Sequence, residues 1–250
     1  MKILLILFFM LSGLMVRSQE FHFILLADTS DADIRTAVKV NIVRIEHQLG
    51  DIAASINLEF IVKKTVASTL SFEQANDLVR GVSFSEEDIV FFYHSGHGTS
   101  HGGSYWPRFL IDDPEKKAGL TYFNSILKKK SPRLLISMAD CCNVGPRFIP
   151  KSPIKQQGFQ ASTGHEGLKA LFLESKGNLI CSSSKKGDYA YYQDEIGGFY
   201  TVAFCQSLFQ VRQEKKVTWN GLMEEVNKIT AKMAMGKNKS QNPQFVWLSS

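Results

Sequence analysis

Cysteine is scarce in this chain, and apolar runs of membrane-spanning length are missing. The 250 residues contain four cysteines, and Cys141 and Cys142 are adjacent and cannot easily bridge each other. A dense disulfide framework is therefore excluded, and Cys181 and Cys205 are expected as buried free thiols in apolar segments. The apolar span from Ile3 to Val16 has 14 residues, whereas a transmembrane helix needs roughly 20. Internal repeats and low-complexity tracts are also missing.

The first 18 residues have the composition of a signal peptide. A short basic start precedes an unbroken apolar run from Ile3 to Met10, and Val16-Arg17-Ser18 offers a cleavage point. A retained membrane anchor is the alternative, but the apolar span is too short for it. The sequence therefore predicts cleavage near Ser18, a mature chain of residues 19–250 that forms one domain, and a secreted or periplasmic location.

Basic residues are in modest excess and are scattered. The net charge is +5, with clusters at Lys128–Lys130, Lys185-Lys186 and Lys215-Lys216. Nucleic-acid binders interleave such clusters with aromatic residues or align them on one helix face. These three clusters have neither feature. We therefore expect the lysines to lie on the solvated surface, and we expect no nucleic-acid partner.

Strand and helix patterns alternate along the mature chain. Apolar runs predict strands at Phe21–Ala27, Leu58–Val62, Asp88–His94, Arg133–Ala139, Asn178–Ser182 and Pro243–Leu248. Helical spacing predicts helices at Ile34–Ile56, Ser71–Val79, Leu120–Lys130, Phe199–Phe209 and Thr218–Met233. The pattern dissolves in residues 143–175, which favours a mobile surface loop. The alternation predicts a three-layer α/β/α sandwich with a mostly parallel central sheet.

Two loops that follow predicted strands carry groups suited to nucleophilic catalysis. Tyr93–Thr99 reads YHSGHGT, in which glycines flank His97, and Asp140–Gly145 reads DCCNVG. Ligand sites of open α/β sheets lie beyond the carboxyl ends of the strands. A cysteine nucleophile needs a nearby imidazole, because the thiolate is the reactive form and a free thiol has a pKa of roughly 8.5.

These two motifs, 45 residues apart between His97 and Cys142, resemble those of caspase-like cysteine peptidases, and of metacaspases in particular. The resemblance extends to Ser182–Ser184 and Gly198–Thr201 and covers almost all of residues 19–248. It implies that Cys142 is the nucleophile and His97 its acid/base partner. The resemblance also implies an oxyanion hole formed by the backbone N–H groups of Gly98 and Cys142. No third catalytic member is evident.

The resemblance also implies a substrate preference. Asp140 and Ser95 fall on positions that form the acidic pocket of metacaspases, which cleave after Arg or Lys, and either Asp28 or Asp31 would complete the pocket. The alternative is that the acids between Asp28 and Asp33 cap the helix that follows them, which applies above all to Asp33. Many metacaspases need calcium, yet only Asp112-Asp113 suggests a site here, so no cofactor is expected.

Three alternatives remain open at this stage. His94, His97 and His101 would form a metal triad, although the glycines among them disrupt any common helix face. A catalytically idle caspase-like scaffold would bind a partner through residues 143–175. A legumain-like or gingipain-like peptidase would share the histidine and cysteine spacing. The favoured interpretation is a secreted endopeptidase that acts on proteins or peptides without stable membrane insertion.

Overall fold

A computed structural model of the chain describes residues 18–112, 118–144 and 164–249. In chain order, the strands are β1 (Glu20–Asp28), β2 (Glu59–Ala67), β3 (Ile89–Ser95), β4 (Gly98–Thr99), β5 (Arg108–Phe109), β6 (Leu134–Asp140), β7 (Gly177–Ser182), β8 (Tyr192–Gln193), β9 (Gly197–Gly198) and β10 (Gln244–Ser249). The helices are α1 (Ala32–Ser55), α2 (Phe72–Gly81), α3 (Leu120–Lys128), α4 (Glu166–Lys169), α5 (Phe199–Gln210) and α6 (Trp219–Met235). Ala170–Glu174 forms a π turn and Val211–Gln213 a 3-10 turn.

Six strands form the central sheet, in the order β10–β7–β6–β3–β1–β2. All neighbouring pairs are parallel except β10 with β7. The predicted fold class, a mostly parallel sheet between helices, is confirmed. Two short hairpins, β4–β5 and β8–β9, lie outside the sheet.

Alternate residues of β1 point to opposite layers, as the pleat of a strand requires. Phe21, Phe23 and Leu25 pack in the core formed with α1, α5 and α6. Ile24 and Leu26 pack in the core formed with α2 and α3. Because both faces of β1 are covered, its apolar run is continuous rather than alternating.

The prediction of a loop over residues 143–175 is wrong for the last part of that range. Glu166–Glu174 is helical, and its Phe172 is fully buried in the core. Gly167, which suggested a loop, serves close packing instead, since a Cβ there would lie 3.0 Å from the carbonyl carbon of Val211. Residues 145–163, and with them the predicted mobility, lie outside the described residues.

The predicted signal peptide lies outside the described residues except for Ser18. In the part of the chain that the structure describes, every helix is too short or too polar to cross a bilayer.

Candidate active site

The histidine and cysteine candidates meet at the carboxyl edge of the sheet. The pairing register places Ser95, the last residue of β3, beside Asp140, the last residue of β6. His97 and Cys142 each follow two residues later, and both line one small cavity of about 40 Å³. Parallel strands end at the same edge, so the loops after neighbouring strands converge there. The two sequence motifs are therefore parts of one site.

His97 is held by a carboxylate from the loop after β1. Its Nε2 lies 2.9 Å from Oδ2 of Asp31, which is also the N-cap of α1 and accepts the backbone N–H of Asp33. That backbone hydrogen bond lowers the pKa of Asp31, and the hydrogen bond and charge of His97 lower it further, against the opposing effect of burial. The carboxylate is therefore ionised at neutral pH. When Nε2–H donates to it, Nδ1 remains as the basic ring nitrogen.

Cys142 is covered by the backbone of the segment before β8. Its side chain is largely buried, the Ala190 N–H lies 3.4 Å from Sγ, and the Sγ–H donates to the Ala190 carbonyl at 3.7 Å. Burial raises the pKa of Cys142 to about 12, and the Asp140 charge adds to the effect, while the Ala190 hydrogen bond opposes it. The free protein therefore holds Cys142 as a thiol. In this conformation no hydrogen bond joins Cys142 to His97, both of which are described.

We expect the alkylation rate of Cys142 to report this covering. Without peptide, iodoacetamide should modify Cys142 slowly at neutral pH, and the rate should still rise about tenfold per pH unit beyond pH 9, because only the thiolate reacts and the pKa is raised to about 12. Peptide mapping distinguishes Cys142 from Cys181 and Cys205, and fragment-ion sequencing of the shared peptide distinguishes it from the adjacent Cys141; all three are also buried. A rate that is already pH-independent near pH 7 would show a preformed thiolate and contradict the expectation.

Asp140 is buried within a network of hydrogen bonds beside the cavity. Its Oδ2 accepts from the Thr201 hydroxyl at 2.6 Å, the Thr201 N–H at 3.2 Å and Asn41 Nδ2 at 3.3 Å. Asn41 also donates to Ser95 Oγ and accepts the N–H of Gly198. Burial raises the pKa of Asp140 against these hydrogen bonds. A buried carboxylate held by neutral donors favours a cationic group in the adjoining space.

Of the four residues predicted for the substrate pocket, Ser95 and Asp140 line the cavity, and Asp28 and Asp31 do not. Asp28 is buried and accepts the Ser30 N–H in a local turn. Asp31, rather than Asp33, caps α1, and it supplies the partner of His97 that sequence analysis did not find. Spacing within a loop does not determine which of several neighbouring acids reaches a given side chain.

Asn41 is the cavity residue that sequence analysis missed. It lies inside α1, on the stripe formed with Val38, Ile42 and Ile45, and is buried. A polar residue on an otherwise apolar helix face was the available signal, since a buried amide must be hydrogen-bonded.

Gly98, which was predicted to contribute to an oxyanion hole, lies beside Cys142. It pairs with Phe109 in the β4–β5 hairpin, and a Cβ at Gly98 would lie 2.5 Å from the Cys142 carbonyl oxygen. Only glycine allows this approach of the two backbones. The close approach is compatible with an oxyanion hole that uses both backbone N–H groups.

Cys141 has a structural environment. It is 2% exposed, its N–H donates to the Ser183 hydroxyl, and its carbonyl accepts from the hydroxyls of Ser183 and Ser184. Burial raises its pKa well above the usual value. These contacts tie the loop after β6 to the segment after β7.

The histidine triad considered as a metal site is not assembled. His94 is fully buried and stacks on Phe109 at 3.7 Å, and burial lowers its pKa to about 4. Among the described residues, the one cluster with metal-ligand spacing contains none of His94, His97 and His101.

A comparison with protein families decides the assignment. The family model for the caspase domain, a cysteine peptidase family, matches residues 13–249. The chain belongs to this family. No curated protein matches the chain in a sequence comparison. Family membership agrees with the caspase-like sheet and supports a cysteine-type peptidase that acts on protein substrates.

Proposed function

We propose that this caspase-domain protein is a secreted cysteine endopeptidase that cleaves after Arg or Lys, with Cys142 as nucleophile and His97 as general base and acid. The observation that carries the proposal is the shared cavity of Cys142 and His97. His97 is additionally held by Asp31. A legumain-like or gingipain-like peptidase would use the same pair of groups, but the family match is to the caspase domain.

The proposed reaction is acyl transfer through a thioester. His97 takes the proton of the Cys142 thiol, and the thiolate attacks the carbonyl carbon of the scissile bond. The N–H groups of Gly98 and Cys142 stabilise the oxyanion. His97 then protonates the departing amine, and a water molecule, deprotonated by His97, hydrolyses the thioester and regenerates the thiol.

Substrate must first displace the covering segment. The cavity of about 40 Å³ has room for only about three water molecules, at roughly 10–15 Å³ each on this measure, so it is narrow as it stands. Tyr191 and Tyr192 line the cavity together with Ala190. A shift of this segment would both widen the pocket and release Sγ from the Ala190 backbone, which couples substrate binding to activation of the thiol.

The specificity proposal rests on Asp140. A P1 Arg or Lys would bring a positive charge to the buried carboxylate, whereas a P1 aspartate would bring a second negative charge into a partly dehydrated pocket. Ser95 and Asn41 would add neutral hydrogen-bonding groups at the same wall. Asp28 and Asp31 have no part in this form of the proposal.

A peptide panel that varies only the P1 residue tests the specificity. We expect kcat/KM for P1 Arg or Lys to exceed that for P1 Asp at least about 100-fold, which corresponds to roughly 2.7 kcal/mol. Asp140→Asn should reduce turnover of Arg peptides, mainly through weaker binding, while alkylation of Cys142 is kept or becomes slightly faster, because the Asp140 charge no longer raises the pKa of the thiol. The exposed Asp77→Asn is the charge-matched control and should change neither quantity. A preference for P1 Asp, or unchanged Arg kinetics in Asp140→Asn, would contradict the acidic pocket.

An idle caspase-like scaffold is the second candidate, and the covered thiol of Cys142 favours it. Such a protein would show no Cys142-dependent turnover with any member of the P1 panel. The proposed enzyme would show turnover that Cys142→Ala abolishes. The secreted location is proposed from residues 1–18 alone.

A further inference from the structure

A second cluster of potential ligands lies at the opposite end of the sheet from the cavity. Glu20 and His22 are two residues apart on β1, so their side chains share one face of the strand. Asp88 immediately precedes β3, and the pairing of Phe21 with Ile89 brings it beside them. The three ligand atoms lie within 4.8 Å of one another.

The imidazole of His22 lies within ion-pair distance of both carboxylates but forms a hydrogen bond with neither. His22 is 4% exposed, and its Nε2 lies 3.1 Å from Glu20 Oε2 and 3.4 Å from Asp88 Oδ2. Nevertheless, Nε2 makes no hydrogen bond, because neither oxygen has the required alignment. A buried ring nitrogen that lacks a hydrogen bond is costly. The three ligand atoms therefore converge on the space between them, with no hydrogen bond from the ring nitrogen to either carboxylate.

The protein holds this arrangement through the backbone. Asp88 is fully buried, its Oδ1 accepts the Glu20 N–H at 2.9 Å, and its Oδ2 accepts the Ser85 N–H at 2.5 Å. These hydrogen bonds orient the carboxylate as outer partners orient a metal ligand. Phe84 lies against the His22 ring, with the ring centroids 5.8 Å apart.

The spacing and donor types fit a small divalent transition metal. In a tetrahedral zinc site with bonds of about 2.0–2.1 Å, neighbouring ligand atoms lie roughly 3.3–3.4 Å apart, close to the two distances from His22 Nε2. One imidazole and two carboxylates give a neutral complex with a divalent cation. Calcium and magnesium prefer more numerous oxygen ligands without nitrogen.

We infer that Glu20, His22 and Asp88 form a structural site for Zn²⁺ or a similar divalent metal, with water as the fourth ligand. The metal binds the neutral imidazole of His22. It fastens the start of β1 to the start of β3, next to the predicted mature terminus at Gln19. The site is separate from the proposed catalytic groups.

Metal binding to the full mature chain tests this inference. The background is Cys142→Ala, which removes the proposed catalytic thiol as a competing ligand. We expect one equivalent of Zn²⁺ to bind, and Co²⁺ to give visible d–d absorption without a thiolate charge-transfer band. A hundredfold excess over Kd should raise Tm by on the order of 5 °C. Mg²⁺ should not reproduce the shift.

Two variants make the result specific. His22→Gln should abolish the Co²⁺ spectrum and the zinc-dependent Tm shift, and Glu20→Gln, at a partly exposed position, should weaken binding at least about tenfold. The matched control is His47→Gln, which alters an exposed histidine also paired with an acid and should bind like the background. The metal site is contradicted if the background protein binds no Zn²⁺, or if folded His22→Gln still binds it. Glu20, His22 and Asp88 would then be a buried histidine–carboxylate cluster without a metal. Peptidase assays with the natural Cys142 test the proposed function separately.

Discussion

Cys142→Ala is expected to lower kcat/KM for P1 Arg peptides at least about 10⁴-fold, because the variant has no nucleophile. His97→Ala should cause a loss of the same order, since Cys142 is held as a thiol and needs a base. The double variant should be little worse than either single variant, because residues that act as a unit are not additive. Initial rates and active-site titration measure these losses.

Cys141→Ala is the matched control for the nucleophile. The side chain lies in the core and its structural hydrogen bonds involve the backbone, so the substitution should cost about 1–2 kcal/mol of stability. Activity should remain within about threefold of the natural protein. If folded Cys141→Ala were inactive while Cys142→Ala retained activity, the nucleophile assignment would be reversed.

Asp31→Asn should lower kcat by roughly 100-fold or more with KM nearly unchanged. The carboxylate accepts the hydrogen bond of His97, and an amide cannot stabilise the imidazolium or fix the ring tautomer as well. Asparagine is as good an N-cap as aspartate, so α1 should keep its first turn. The loss would then report on His97 rather than on folding.

The P1 residue separates a positioning role for Asp31 from a pocket role. A positioning carboxylate affects P1 Arg and P1 Gln peptides by the same factor, whereas a pocket carboxylate affects mainly P1 Arg through KM. Asp33→Asn removes an equal charge two residues away and keeps the backbone N–H that caps the helix. It should leave both substrates within about twofold. If Asp31→Asn lost activity only toward P1 Arg peptides, Asp31 would be a substrate-pocket residue and not a positioning partner of His97.

The order of strands and helices was predictable because each main element carries its own local signal. The continuous apolar run of β3 indicated a strand covered on both faces, and the stripe through Val38, Ile42 and Ile45 indicated α1. Family motifs at His97 and Cys142 then pointed to the edge where the site lies. The helical segment Glu166–Glu174 was not predicted, because a glycine and a short apolar stretch are also typical of a loop.

The identity of the side chains around the site depended on tertiary structure. Sequence analysis could place Asp28, Asp31 and Asp33 in one loop, but the direction of each side chain follows from how α1 begins and packs on β1. Asn41 is far from either motif in sequence and reaches Asp140 only because α1 crosses the sheet there. The covering of Cys142 by Ala190 likewise joins segments 48 residues apart.

What the sequence determined by itself was therefore the fold class, the order of the main elements and the presence of a histidine loop and a cysteine loop after two strands, because periodicity and short motifs are properties of contiguous residues. Tertiary structure alone decided that Asp31 bonds to His97, that Asn41 joins Asp140, and that Cys142 is held as a covered thiol. These features depend on burial and on distances between residues remote in the chain, which a linear pattern does not contain.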